Sequence, residues 1–219
     1  MPHFIEVSHP IEAGMKTYPG LPEPRAEILM NYEESRAKYA KGAEFFIASL
    51  HLCGNTGTYV DAPLHRYHYG VDLAALPLER LAHLPVELVD RSETYGRGIG
   101  REAVRGRNLE GKAVLFHTGW SKHWGTQRYF EPHPFLTAEC CDALVAGQAA
   151  FVGIDSLNID DIDDLSRPAH SILLSAGIPV CEHMTNLQSL PPRGGGRLHA
   201  VPIAWKAGAS FPVRAYVMF

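Results

Sequence analysis

Cysteine is scarce in this chain of 219 residues, and its placement suggests no framework. Cys53, Cys140, Cys141 and Cys181 include no CxxC pair and two are adjacent, so reduced thiols, as in a cytoplasm, are expected. Long apolar runs are missing too. No stretch approaches the ~18 residues of a membrane span, and Met1-Pro2-His3-Phe4-Ile5-Glu6 lacks the basic start and apolar run of a secretory signal. No GxGxxG follows a strand, which removes the phosphate turn of a dinucleotide-binding fold. The absence of GxxxxGK[ST] and GxSxG argues against a P-loop and against the nucleophile elbow of serine acyl transfer. Lys and Arg number 20 against 24 Asp and Glu, scattered and without a basic stripe, so neither nucleic acid nor membrane is an expected partner. Internal repeats, linkers and low-complexity tracts are also lacking. A single domain over 1–219 is the expectation.

What is present suits an ordinary soluble globular protein. Apolar residues make up 46% and charged ones 20%, enough to bury a sizeable core. Twelve histidines supply material for acid–base or metal chemistry. Asp155, Asp160, Asp161, Asp163 and Asp164 crowd one loop-like stretch.

Periodicity and punctuation predict strands over 4–7, 27–32, 43–53, 86–89, 113–117, 151–154, 178–181, 201–204 and 212–218. Helices are expected at 76–81, with Pro77 at its start, at 138–146 behind a Thr137 cap, and at 168–176, stopped by Gly177. Cys140 and Cys141 would be small fillers on the second of these. Gly194-Gly195-Gly196 reads as a flexible loop. The sum is a strand-rich α/β chain with a few helices.

The segment Cys53-Gly54-Asn55-Thr56-Gly57-Thr58-Tyr59-Val60-Asp61-Ala62-Pro63-Leu64-His65 carries the most chemistry. A carboxylate, an imidazole, a phenol and a carboxamide stand around glycines and a proline, which is material for a rigid polar pocket rather than a core. Asp61 and His65 flank a stiff Ala62-Pro63 step. His170 falls on the last predicted helix and Glu182 at the end of the following strand, where scaffold meets open surface. Convergence of Asp61, His170 and Glu182 would make a three-ligand site with a position free for water, as a catalytic zinc or manganese needs. Taken singly, each also reads as a solvated loop or helix residue.

The ordered set Val7-Ser8-His9-Pro10-Ile11, Tyr18-Pro19-Gly20, Gly57-Thr58, Asp61-Ala62-Pro63-Leu64-His65, Thr118-Gly119-Trp120, Gly153-Ile154-Asp155, Pro168-Ala169-His170, Glu182, Asn186-Leu187 and Pro212-Val213-Arg214-Ala215 spans nearly the whole chain. It resembles the cyclase family of metal-dependent hydrolases, which includes kynurenine formamidase and isatin hydrolase. The resemblance implies a swivelling β/β/α fold, a homodimer or homotetramer, and hydrolysis of small cyclic or aryl amides, formamides or lactones. It also implies that Asp61 bridges two ions, that His170 and Glu182 complete the second, and that His65 is the acid–base histidine.

The pattern breaks at two places. The family's H-x-G-T-H-x-D-x-P-x-H carries two leading ligand histidines, and this chain has Asn55 and Tyr59 there. A carboxamide oxygen is a weak zinc donor, and a phenol must lose a proton with a reference pKa of ~10. Half of a binuclear site is therefore expected to be missing while Asp61, His170, Glu182 and His65 remain. Three outcomes follow: a one-metal hydrolase, a metal-free enzyme of changed chemistry, or a non-catalytic binder of small molecules. His51 and Cys53 share a strand face with Asn55 and offer a substitute ligand. Tyr18, Trp120, Tyr67 and His68 are the candidate contacts for a ring-bearing substrate, although as ordinary packing residues they would need no such role.

Overall fold

The computed structural model describes residues 2–219. In chain order the strands are β1 (Phe4–Glu6), β2 (Arg25–Met30), β3 (Ile47–His51), β4 (Tyr59–Asp61), β5 (Ala82–Asp90), β6 (Gly98–Ile99), β7 (Ala113–His117), β8 (Phe135–Leu136), β9 (Phe151–Ile154), β10 (Val180–Glu182), β11 (Gly194–His199), β12 (Ser210–Pro212) and β13 (Tyr216–Met218). The helices are α1 (Tyr32–Arg36), α2 (Ala138–Ala146) and α3 (Pro168–Ser175).

Nine strands form one mixed sheet in the order β1-β13-β11-β5-β7-β9-β10-β4-β12. Its centre, β5-β7-β9-β10, is parallel, and the pairs outside it are antiparallel. Parallel strands buried on both faces read as continuous apolar runs, which is why Ala113–His117 and Phe151–Ile154 were legible in the sequence. Side-chain alternation sends Val114, Phe116, Val152 and Ile154 to one core, shared with α2 and α3. Leu115 and Phe151 face a second core shared with Val60, Leu198 and Val217. That second core joins strands six places apart in the sheet order, so the sheet curls around it. The tail confirms the curl. Only Val213, Arg214 and Ala215 separate β12, at one edge, from β13, next to the other. Such a link reaches no more than roughly 14 Å.

Several expectations needed revision. The expected loop at Gly194–Gly196 opens β11, its positive-φ glycines (φ 86, 97 and 70) bulging the ladder against β5. The expected strand at 201–204 is irregular chain. Residues 212–218 are not one strand but contribute to β12 and β13, because the link between the sheet's two edges passes there. The predicted helix at 76–81 shrinks to a single 3-10 turn, Leu78–Arg80. The strand expected to reach Tyr32 stops at Met30, because Asn31 and Glu34 make a reciprocal cap that starts α1. Tyr59–Asp61, read as part of a polar turn, is a sheet strand.

Candidate active site

Strand register assembles the polar centre. In β4, Tyr59 stands opposite Glu182 of β10, and Asp61 stands opposite Ser210 of β12. Directly paired residues hold their Cβ atoms about 5 Å apart, so these side chains must meet. The Tyr59 hydroxyl donates to Glu182 Oε2, and the Ser210 hydroxyl donates to Asp61 Oδ1. Gly54 makes room for this edge, since a Cβ there would run into the Ser210 carbonyl. His65 ends the 3-10 turn Pro63–His65 just beyond β4, with its Nδ1 3.0 Å from Ser210 Oγ and 3.6 Å from Asp61 Oδ1.

His170 enters from α3. Asp160 accepts from the Ala169 and His170 amides at 2.6 and 3.1 Å, capping a helix whose N-cap, Arg167, gives no side-chain bond. The same carboxylate holds His170 Nδ1 at 2.6 Å. Nε2 is thereby aimed at Asp61 Oδ2, 3.5 Å away, and Glu182 Oε1, 3.6 Å away. Although burial opposes its charge, Asp160, Asp61 and Glu182 push His170 up to about 10. Burial would raise Asp61, but the charges of His65 and His170 and the bond from Ser210 hold it below its ordinary value. Burial, together with the negative charge of Asp61, shifts Glu182 upward.

Ligand atoms of Asp61, His65 and His170 lie within 4.8 Å of one another. Asp61 Oδ2 is fully buried and has no hydrogen-bond partner. A buried carboxylate oxygen without a donor is costly, and a cation beside it would satisfy it. His170, oriented by a carboxylate on its other nitrogen, has the arrangement that metal-binding imidazoles ordinarily show. The donor set therefore fits a divalent cation. Glu182, expected as the third ligand, falls outside that cluster although its Oε1 is 3.6 Å from the same His170 Nε2; Oε1 accepts from the Ile159 amide at 2.6 Å and Oε2 from Tyr59.

The two altered motif positions line the same place. Burial and the neighbouring carboxylates keep the Tyr59 phenol protonated, its pKa pushed well above the usual value. A phenol in that state is a hydrogen-bond donor, here to Glu182. A cavity of about 290 Å³ opens above Tyr59, His65 and His170, with Asn55 and Tyr18 in its wall. Trp120, Tyr67 and His68 do not line it. Trp120 donates to the Tyr129 carbonyl at 3.1 Å, Tyr67 donates to the Ser171 carbonyl at 2.7 Å, and His68 packs edge-on against exposed Tyr69. His51 and Cys53 are outside the ligand cluster as well, since His51 lies on the β2–β3 hairpin beside Ser49.

Sequence profiles of the family described as "Putative cyclase" match residues 5–161. The chain belongs to the cyclase family. A kynurenine formamidase of Bacillus cytotoxicus is 29% identical over 217 residues, covering 98% of this chain and 96% of that protein. A solved structure described as a potential metal-dependent hydrolase with cyclase activity superposes with a TM-score of 0.81 at 26% identity, covering 100% of this chain and 98% of that one. Isatin hydrolase A from Labrenzia aggregata, bound to benzyl benzoate, shares the fold with a TM-score of 0.83 at 23% identity, covering 99% and 93% of the two chains.

Sequence reading missed two contributors to this cyclase-family site. Asp160 was seen only as one of a loop cluster, although an Asp ahead of Pro168 is a plausible cap. Ser210 carried no signal, because its role comes from pairing with a residue 149 positions away.

Proposed function

We propose that this chain is a hydrolase of an amide, formamide or lactone bond in a small cyclic or aryl substrate, working with one divalent metal at a reduced site. The observation that carries the reading is the orphaned, buried Asp61 Oδ2 facing the pre-oriented Nε2 of His170, with His65 alongside. The kynurenine formamidase relatives support the reaction class. Asp61 and His170 would hold the ion with Glu182 as third ligand, His65 standing beside them as the proton carrier, and carboxylate and imidazole donors suit zinc or manganese. The ion, when bound, supplies Lewis acidity toward a carbonyl and toward water.

The chain's own groups do the rest. Ser210 has one hydroxyl proton, and it goes to Asp61, so its oxygen accepts from His65 Nδ1. That leaves the His65 Nε2 lone pair free to take a proton from the attacking water and return it to the leaving group. His65 is the most solvent-exposed of the three clustered residues and lines the cavity, as a proton carrier must. Asn55 stands in the wall as a hydrogen-bonding group for substrate.

One feature favours a metal-free alternative. Tyr59 is hydrogen-bonded to Glu182, His170 is hydrogen-bonded to Asp160, and an ion pair at 3.6 Å between His170 and Glu182 joins the two pairs without a metal. Elemental analysis of protein purified without chelators separates the readings: one ion per subunit is expected, and none would favour the metal-free enzyme or a non-catalytic binder. Two tightly held ions would mean that Asn55 and Tyr59 do ligate. Turnover of an N-formyl aryl amine or a lactone should fall at least ~100-fold in His65→Ala, and full activity in that variant removes His65 from the mechanism.

A further inference from the structure

The cavity over the polar centre has an unusual rim. Arg66, next after His65, and Arg167, three residues before His170, both line it. Among the described residues neither guanidinium forms an ion pair, whereas Arg97, Arg107 and Arg214 each do. The acidic neighbour Arg167 would take is already occupied: Asp161 is bridged by Arg97 at 2.5 Å, and Arg167 Nη1 reaches only the Asp161 carbonyl, at 3.0 Å.

The two arginines are tied together rather than merely near. Arg66 Nε donates to Ser171 Oγ at 3.0 Å, and that hydroxyl donates to the Arg167 carbonyl at 2.7 Å. The Arg66 guanidinium also sits 5.7 Å from the Tyr67 ring centroid, and Tyr67 is in turn bonded to the Ser171 carbonyl. Ser171 of α3 thus ties the Arg66 side chain to the Arg167 backbone, and the Asp161 carbonyl holds Arg167 Nη1, with Arg66 Nη1 and Nη2 and Arg167 Nη2 unbonded within the protein. Arg167 is held there at φ +50, a conformation unfavourable for an arginine.

Unpaired, pre-positioned guanidinium forks at the mouth of a pocket match a planar carboxylate, which they bind with paired, charge-assisted hydrogen bonds. We infer that the site takes a small ring-bearing substrate with a carboxylate, held at the rim by Arg66 and Arg167 while the scissile bond lies over Asp61, His65 and His170. At about 290 Å³ the cavity suits a single-ring compound. The inference deepens the hydrolase reading and rests on it only in calling the ligand a substrate.

Calorimetric titration of the purified full-length chain with benzoate and with neutral benzamide of nearly the same shape tests it. Benzoate should bind at least roughly tenfold tighter, and Arg66→Gln/Arg167→Gln should erase that preference, since the charge-assisted hydrogen bonds to the carboxylate are lost. Arg66→Gln alone, at an exposed side chain, should lose part of it without affecting the fold. Equal affinity for the two probes, or a benzoate preference that survives the double substitution, overturns the inference. The second result would place the carboxylate on a metal or elsewhere. Arginine-dependent benzoate binding by a chain that turns over no amide, formamide or lactone removes the hydrolase reading and leaves this one. Turnover of neutral formamides with no benzoate preference does the reverse.

Discussion

Removing the Ser210 hydroxyl strips the buried Asp61 Oδ1 of its donor and frees His65 Nδ1 from the contact that sets its tautomer. Ser210→Ala should cost about 1–3 kcal/mol of stability, the usual penalty for a buried acceptor left unsatisfied. It should also lower kcat roughly tenfold or more with little change in KM, because substrate binding is untouched while the proton carrier is misoriented. Threonine at 210 keeps the hydroxyl and should recover most of kcat. Steady-state rates and denaturant midpoints of the two variants read both effects. A joint fall in kcat and rise in KM that threonine does not rescue would reduce Ser210 to a packing residue.

At the level of elements, α3 begins without a side-chain cap of its own and depends on Asp160, nine residues upstream of the amide it receives at 2.6 Å. Asp160→Asn keeps the shape but gives up the charge that complements the helix N-terminus and orients His170. The expected loss is about 1–2 kcal/mol, seen as a lower denaturant midpoint at unchanged slope. Zinc affinity should weaken about 10–100-fold, the ordinary effect of losing the partner of a ligating histidine. An unchanged zinc titration in a normally folded variant would show that His170 is not a ligand.

Two consequences belong to the whole molecule. The β2–β3 hairpin pairs with no other strand and, with the chain around α1, exposes Ile28, Leu29, Tyr32, Phe45, Phe46 and Leu50, with Ile28 61% accessible. So many exposed apolar side chains on one segment are unfavourable in water, and we propose that a second copy covers them. Light scattering should give at least twice the 24.2 kDa of one chain, and Ile28→Glu with Phe46→Glu should shift the mass toward one chain. The second consequence is acid lability. Burial lowers His183 from 6.5 to about 3 and His9 to about 4, so both are neutral in the folded chain while the unfolded chain takes up protons below 6.5. The unfolded state then binds more protons, and stability falls as pH drops from 6.5 toward 4, by up to about 1.4 kcal/mol per pH unit for His183. Thermal melts across that range should show the fall, and His183→Gln should flatten it. A flat profile in the parent chain would contradict the neutral burial of both imidazoles.

Some of this was written locally in the sequence. β7, β9 and α2 run to the residues expected because apolar continuity and a threonine cap act over a few positions. The motif around Asp61 and His65, and the loss of imidazoles at 55 and 59, could be read directly from residue types. The state of Tyr59 could not. Its phenol stays protonated because the folded sheet buries it and β10 brings Glu182 opposite it, 123 residues away. The same is true of Ser210 against Asp61, of the bulged glycine strand β11, and of the tail that supplies one strand at an edge of the curled sheet and another beside the opposite edge. Each depends on register between distant strands, which is chosen by the packing of the whole sheet and leaves no trace in any short window of sequence. Residue chemistry therefore determined what the site is made of. Long-range strand pairing decided which of those groups remain free to act.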